Sequence, residues 1–296
     1  MSIQKTLEFV LQHPLNSDRR AASIIDFLKW QLGSRLLPGD KVFDWVAGAR
    51  FYVRRGETGL TGNIYTGLHE FADMAYLLHV LRKEDIFVDV GANVGSYSLL
   101  AGAVIGARGF AFEPVPTTHR RLVENLRLNH IETRVNHPCL GMSDNPGKLL
   151  FTSDQDTVNH ALTEHEKEVN VIEVKVSTLD DILTGEDPSF VKIDVEGFEM
   201  SVLRGATQLL ARPSLHSVIM ELNGSGQRYG VDESEILEMM LDNGFRTYEY
   251  SPFERLLVDL NGKNLDSGNT LFIRNKDFVE ERIRTANHLT INGRTF

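Results

Sequence analysis

The chain has 296 residues, 42% of them hydrophobic and 24% charged, a balance that fits one large globular domain with an extension and excludes a disordered or fibrous chain. A net charge of −10 argues against a nucleic-acid partner, because basic surface that neutralises phosphates supplies most non-specific affinity. With one cysteine, Cys139, a polar first stretch and no apolar run near the roughly 20 residues of a membrane span, a soluble cytoplasmic protein is expected.

Residues 1–45 read as amphipathic and helical. Ile24, Ile25, Phe27, Leu28, Leu32, Leu36 and Leu37 form a broad apolar face. Ser17 or Asp18 is placed to cap this stretch, and Pro38-Gly39-Asp40 to end it. An N-terminal helical extension over residues 1–50 follows. Residues 50–66 are strand-like and glycine-rich, which suits a β-hairpin, and the pattern turns helical from Glu70 to Leu81.

Strands and helices then alternate, which predicts a doubly wound, mostly parallel α/β sheet covered on both faces over residues 51–280, with a tail over 281–296. Strands are expected at 86–90, 109–112, 134–140, 190–195, 218–222, 245–250 and 270–273, seven in all, with a further short run at 256–258. Helices are expected at 94–105, 116–129, 199–210 and 233–242. Residues 148–152 and 171–176 suit an antiparallel pair. The polar stretch 153–169 between them reads either as a lid or as a solvated insertion.

The most informative segment is Val88-Asp89-Val90-Gly91-Ala92-Asn93-Val94-Gly95-Ser96-Tyr97, where a buried strand ends in glycines and a helix begins at once. Free N–H groups and the positive dipole end of that helix face whatever sits there. The spacing departs from G-x-G-x-x-G. Asp89 would repel a pyrophosphate but suits a ligand whose near end is cationic; alternatively it caps amides of its own turn. Glu113 follows the next strand, 24 residues after Asp89, near the separation expected for an acid that binds ribose hydroxyls. Its other reading is a helix-entry residue.

A second signature, Val191-Lys192-Ile193-Asp194-Val195-Glu196-Gly197-Phe198-Glu199, ends the fourth strand. Ligands bind at the carboxyl ends of strands in open α/β sheets, so Lys192, Asp194 and Glu196 reach the same rim as Gly91 and Glu113. Alternation puts 192 and 194 on one side. Charge inside a buried strand needs a reason: a Lys192–Asp194 ion pair, or a role in acceptor binding or proton removal.

In order and spacing, VDVGANVGSYSLLAG, FEPVPTTHRRLVENLRLN and VKIDVEGFEMSVLRGA resemble the FkbM-type methyltransferases over residues 64–223. The resemblance implies a class I methyltransferase (Rossmann-like) sheet, S-adenosylmethionine as donor and a hydroxyl as acceptor, on a small molecule, sugar or natural product. It implies donor contacts at Asp89, Gly91, Asn93, Gly95 and Glu113. By the same resemblance Ser143 and Asp144 lie where such folds meet the adenine, although SDNPG also reads as a turn, and Tyr65, Gly67 and Glu70 close over the donor.

The acceptor proton needs a base. Asp194, Glu196, Glu221 and His69 are candidates, and Asp194 is favoured because its strand end should face the methyl group. Glu221 is placed to bind acceptor hydroxyls. Asp194, Glu196 and Glu221 also make a possible oxygen-ligand set for Mg²⁺. Nothing suggests zinc, since His160 and His165 are a poor chelating pair. A nicotinamide-dependent oxidoreductase and a non-catalytic donor-binding protein are the alternatives. A homo-oligomer is possible.

Overall fold

A computed structural model of the protein describes residues 3–36, 39–54, 60–152, 160–162, 170–265 and 268–296. Helices α1 (Ile3–Gln12) and α2 (Arg20–Leu36) open the chain, followed by strands β1 (Lys41–Asp44) and β2 (Arg50–Val53), then α3 (Thr61–Thr66) and α4 (Phe71–Val80). The expected helix over 1–45 therefore stops at Leu36. Residues 41–44 alternate in burial as a strand does and pair with β2, Phe43 opposite Phe51. The hairpin spans 41–53, so only its second strand falls in the 50–66 window, and part of that window forms α3. Most of the predicted apolar face of α2 is turned outward: of its described residues only Phe27 is buried, while Ile25, Leu28, Leu32 and Leu36 are exposed, and Leu37 lies outside the described residues.

The main run comprises β3 (Ile86–Val90), α5 (Ser96–Leu99) continued by a π-turn over Leu100–Ile105, β4 (Arg108–Phe112), α6 (Pro116–Leu128), β5 (Val135–Asn136) and β6 (Gly141–Met142). It goes on through β7 (Gly147–Thr152), β8 (Val171–Ser177), α7 (Leu179–Ile182), β9 (Phe190–Ile193), α8 (Glu199–Arg204), α9 (Thr207–Ala211), β10 (Ser217–Glu221) and α10 (Glu233–Asp242). The chain closes with β11 (Arg246–Ser251), β12 (Leu256–Asp259), β13 (Asn269–Ile273), α11 (Lys276–Thr285), β14 (Thr290–Ile291) and β15 (Arg294–Thr295).

Eight strands form the main sheet in the order β12-β11-β13-β10-β9-β3-β4-β5. Strands β5, β4, β3, β9 and β10 run parallel, and β13 is inserted antiparallel between β10 and β11. The sheet has one strand more than expected, because 256–258 belongs to a strand that folds back on β11 at the open edge. Only residues 135–136 of the expected third strand pair with β4. The helix expected over 199–210 breaks at Gly205, where a Cβ would collide with the Ser143 carbonyl oxygen.

One sheet face packs Val88, Val90, Phe112, Ile193 and Met220 under α8, α9 and α10; the other packs Phe87, Phe190 and Ile219 under α4 and α11. Leaving β3, the chain runs outward to β4 and β5 and then returns to β9 on the opposite side. That reversal creates a crevice at the strand C-termini between β3, β4 and β9.

The expected pairing around the insertion is present, with β7 antiparallel to β8 and Lys148 opposite Lys175. Most of 153–169, including His165, lies outside the described residues. His160 and Ala161 within it are buried against β7, where the Thr152 N–H donates to the His160 carbonyl at 3.0 Å. The boundary expected at 280/281 falls inside α11. Beyond α11 the chain returns to the N-terminal helices: Asn292 donates to Asn16 at 3.1 Å, Arg294 pairs with Asp18 at 2.8 Å, and buried Phe296 packs edge-on against Phe71. Among the described residues no helix is long and apolar enough to cross a membrane.

Gly109 sits in β4 where a Cβ would strike the Phe87 carbonyl oxygen of the neighbouring strand. Gly109→Ala is therefore expected to destabilise the fold by about 1–3 kcal/mol, the usual range for overpacking a core. Urea unfolding checks this: the midpoint should drop at constant m-value.

Candidate functional site

Pinning of the glycine turn to both neighbouring strands builds one wall of the crevice. The N–H groups of Gly91 and Ala92 both donate to the Phe112 carbonyl, at 3.0 and 2.9 Å, which ties the turn to the end of β4. On the other side the Asp194 N–H donates to the Val90 carbonyl at 3.0 Å. Gly91 has φ +79°, and a Cβ there would collide with the Asp194 carbonyl oxygen. Only glycine satisfies both conditions. Asn93 also has positive φ, and Gly95, at φ +98°, begins α5.

Glu113 is buried at the end of β4. Its two carboxylate oxygens accept from the backbone N–H groups of Asn93 at 3.1 Å and Val115 at 2.9 Å, which sets the carboxylate beside the turn. Burial pushes its pKa up to about 7 despite those two bonds. Gly91, Asn93, Glu113, Met142, Asp194 and Glu196 are among the residues that line the crevice.

Below the rim lies a charged network around one cation. Lys192 is 3% exposed, with Nζ 2.8 Å from Asp194 Oδ2 and 4.7 Å from the centre of the Tyr97 ring. The pair predicted from strand alternation is thus present. Burial acts to lower the Lys192 pKa, but the carboxylates of Asp194, Glu70 and Asp89 outweigh it and raise it. Asp89 accepts from Ser98 Oγ at 2.6 Å, and its pKa is raised by burial. Tyr97 donates to Glu70 at 2.8 Å, and Asn269 bridges Glu70 and Asp73 at 3.1 and 3.0 Å. Asp73 is pushed up to about 7 by burial, then by Glu70.

Asp194, Glu196 and Glu221 meet at the mouth, each offering an oxygen within 4.8 Å of the others. Burial and then the Asp194 charge raise Glu196 to about 7; burial followed by Asp194 and Glu196 raises Glu221 to about 8. Glu196 has positive φ, and Gly197 packs against the Ser225 carbonyl, so the turn after β9 is as tightly determined as the one after β3.

Five further expected positions lie outside the crevice lining. Tyr65 is buried against Phe27 with its hydroxyl bonded to Gln31. Ser143 and Asp144 bond each other at 3.1 Å beside β8, and their neighbours Gly141 and Met142 line the crevice instead. Glu70 joins the network under the rim rather than the lining. His69 packs on Phe9, its pKa lowered by burial. Asp73 and Asn269 were not expected at the site, although an acid amid the apolar run FADMAYLL is a signal. The last acid of VKIDVEGFE serves the fold, since Glu199 is buried and accepts from the N–H groups of Gly197 and Val195 at 3.1 and 3.3 Å.

These raised carboxyls set a sign for pH. A carboxylic acid whose folded pKa exceeds its unfolded value holds its proton longer when folded, so stability falls as pH rises through that interval. With Asp73, Glu113, Glu196 and Glu199 raised to about 7 and Glu221 to about 8, the Tm of the ligand-free protein should fall from about pH 5 to pH 8. Glu221→Gln should flatten that slope. A Tm that rises over this interval, in a thermal melt at fixed ionic strength, contradicts the assignment.

The family model of the methyltransferase FkbM domain matches residues 89–247. Hexuronic acid methyltransferase AglP of Haloferax volcanii is 30% identical over 167 residues, 55% of this chain and 64% of that protein. Methyltransferase 1 of Beauveria bassiana is 30% identical over 159 residues, 46% of this chain and 64% of that protein. The matched region thus spans just under two thirds of these relatives' own length. Among solved structures, the FkbM methyltransferase of Methylobacillus flagellatus aligns with 18% identity and a TM-score of 0.44, covering 72% of this chain and 52% of that one. The matched span opens at Asp89, in the strand that carries the glycine turn, and runs through Glu113, Lys192, Asp194, Glu196 and Glu221, and on this ground the chain belongs to the FkbM methyltransferase domain family.

Proposed function

We propose that the protein transfers a methyl group from S-adenosylmethionine to a hydroxyl oxygen of a sugar or similar polyhydroxylated small molecule. The observation that carries this reading is that one crevice is lined both by the glycine turn with Glu113 and by the carboxylates of Asp194 and Glu196. Family membership supports the methyl transfer, and a relative named for hexuronic acid supports a carbohydrate acceptor.

The donor supplies a methyl carbon on a sulfonium sulfur, which an acceptor oxygen takes by in-line displacement as the carbon–sulfur bond breaks. In this reading Glu113 accepts from the two ribose hydroxyls, since its oxygens keep free lone pairs beyond the two backbone bonds. The excess of buried carboxylates near the turn suits a ligand with an ammonium and a sulfonium. Asp194 receives the acceptor proton, oriented by Lys192 at 2.8 Å. Glu196 and Glu221 accept from neighbouring acceptor hydroxyls and so hold the reacting oxygen in line; such positioning is usually the largest contribution to catalysis. Asp194, Glu196 and Glu221 would also hold a divalent cation, since all three donors are oxygens and their mutual repulsion is what a cation relieves. Its contribution there would be to acidify the acceptor hydroxyl.

Glu113→Ala is expected to weaken donor binding by about 1–3 kcal/mol, the cost of losing charge-assisted hydrogen bonds. Isothermal titration calorimetry with S-adenosylhomocysteine measures it, and unchanged affinity removes Glu113 from the ribose.

Asp194→Asn is expected to keep donor affinity while turnover falls by about 10²–10⁴-fold, the usual contribution of a positioned base. Methyl transfer from labelled donor to a panel of neutral sugars and uronic acids reads this. A loss of donor affinity in place of turnover would move Asp194 into the donor site.

A further inference from the structure

Helix α2 presents an apolar stripe that is left exposed among the described residues. Ile25, Leu28, Leu32 and Leu36 follow one another at helical spacing on one face, and they are 52%, 49%, 60% and 77% exposed. The opposite face is the one that packs: Ser23, Phe27 and Ser34 are buried there, Phe27 lies on Tyr65, and Trp30 joins the cluster holding Ala92 and Val94 of the glycine turn. Lys29 borders the stripe on one side and Arg35 on the other, both exposed. Val42, in the strand that follows, adds a further exposed apolar side chain at 48%.

Charge selects the occupant. Residues 19–54 carry seven lysines and arginines against three aspartates in a chain whose net charge is −10. The sole acid on α2, Asp26, is already shared between Arg19 and Lys29. A second copy laid on the same stripe would bring the Lys29 and Arg35 flanks of one helix against those of the other, with no acid on either helix left to answer them. An anionic lipid surface answers both features at once. It takes the leucines into the acyl boundary while the cationic side chains reach up to phosphate headgroups.

We propose that α2 is an interfacial helix that seats the protein on an anionic lipid bilayer surface. Seated this way, the helix on the lipid is the one whose Trp30 packs into the cluster that holds Ala92 and Val94 of the glycine turn. The crevice would then operate within reach of an acceptor held at that surface. Seating on lipid does not depend on the identity of the methyl donor.

Co-sedimentation of the full chain with vesicles tests it, comparing phosphatidylcholine alone with a phosphatidylcholine–phosphatidylglycerol mixture at low and high salt. Binding to the mixed vesicles, weakened by salt, is expected. The double variant Leu28→Asp with Leu32→Asp should lower partitioning about tenfold or more while leaving Tm and S-adenosylhomocysteine affinity unchanged, since neither side chain enters the core. Lys29→Glu with Arg35→Glu keeps the apolar stripe and should also lower binding. No binding to the mixed vesicles, or binding by both double variants equal to that of the unaltered chain, overturns the proposal. So does light scattering that finds a dimer which the leucine variant converts to monomer, because the stripe would then be a contact between copies.

Discussion

Two buried parallel strands, β3 and β9, end so close together that no side chain fits between their exits, and the rest of the site follows from that approach. Gly91 turns the chain at positive φ directly against the Asp194 carbonyl, while the Asp194 amide closes on the Val90 carbonyl. The same turn is tied to β4 through Phe112, so three strand ends are held in one rigid arc. Because the arc is backbone, the side chains it carries have little freedom. Glu113 is aligned by two amides, Glu199 by two more, and Glu196 sits at positive φ in the turn after β9 and lines the crevice. Preorganisation of this kind is what a binding site for a small ligand requires.

Electrostatics give the arc its chemical character. Asp89, Asp73, Glu113, Glu196 and Glu221 all have raised pKa values, each with burial as its first cause. Lys192 is the buried ammonium at their centre, held over Tyr97 and bonded to Asp194. Carboxyls in this state hold protons that a cationic ligand or a metal would displace, so ligand binding and proton release are linked. The network through Glu70, Tyr97, Asn269 and Asp73 ties α4 and β13 to the same centre. The segment before the glycine motif thereby supports the rim from beneath rather than closing over it.

The two ends of the chain share a different surface. Asn16, Asn292, Arg294 and Phe296 lock the N-terminal helices to the C-terminal hairpin and to α4. This second cluster leaves the outer face of α2 with no partner among the described residues, although its sequence pattern is that of a core-facing helix. A hydrophobic stripe on a helix states that something apolar covers it; it does not state what.

By itself the amino-acid sequence determined the alternating core, the glycine turn, the acid after β4, the Lys192–Asp194 pair and the family. Each is a local signal: a strand period of two, a turn only glycine can make, or charge inside an apolar run. Three matters were decided only by the tertiary structure. An eighth strand joined the sheet because an edge with free N–H and C=O groups accepts any strand that folds back on it. Tyr65 and Glu70 were drawn away from the crevice lining by partners distant in sequence, Gln31 for the first and Tyr97 and Asn269 for the second, while Ser143 and Asp144 bond each other beside it. Glu199, last in the same run as Asp194 and Glu196, became a structural acid, because burial and the direction of nearby amides are set by packing and leave no mark in the local pattern.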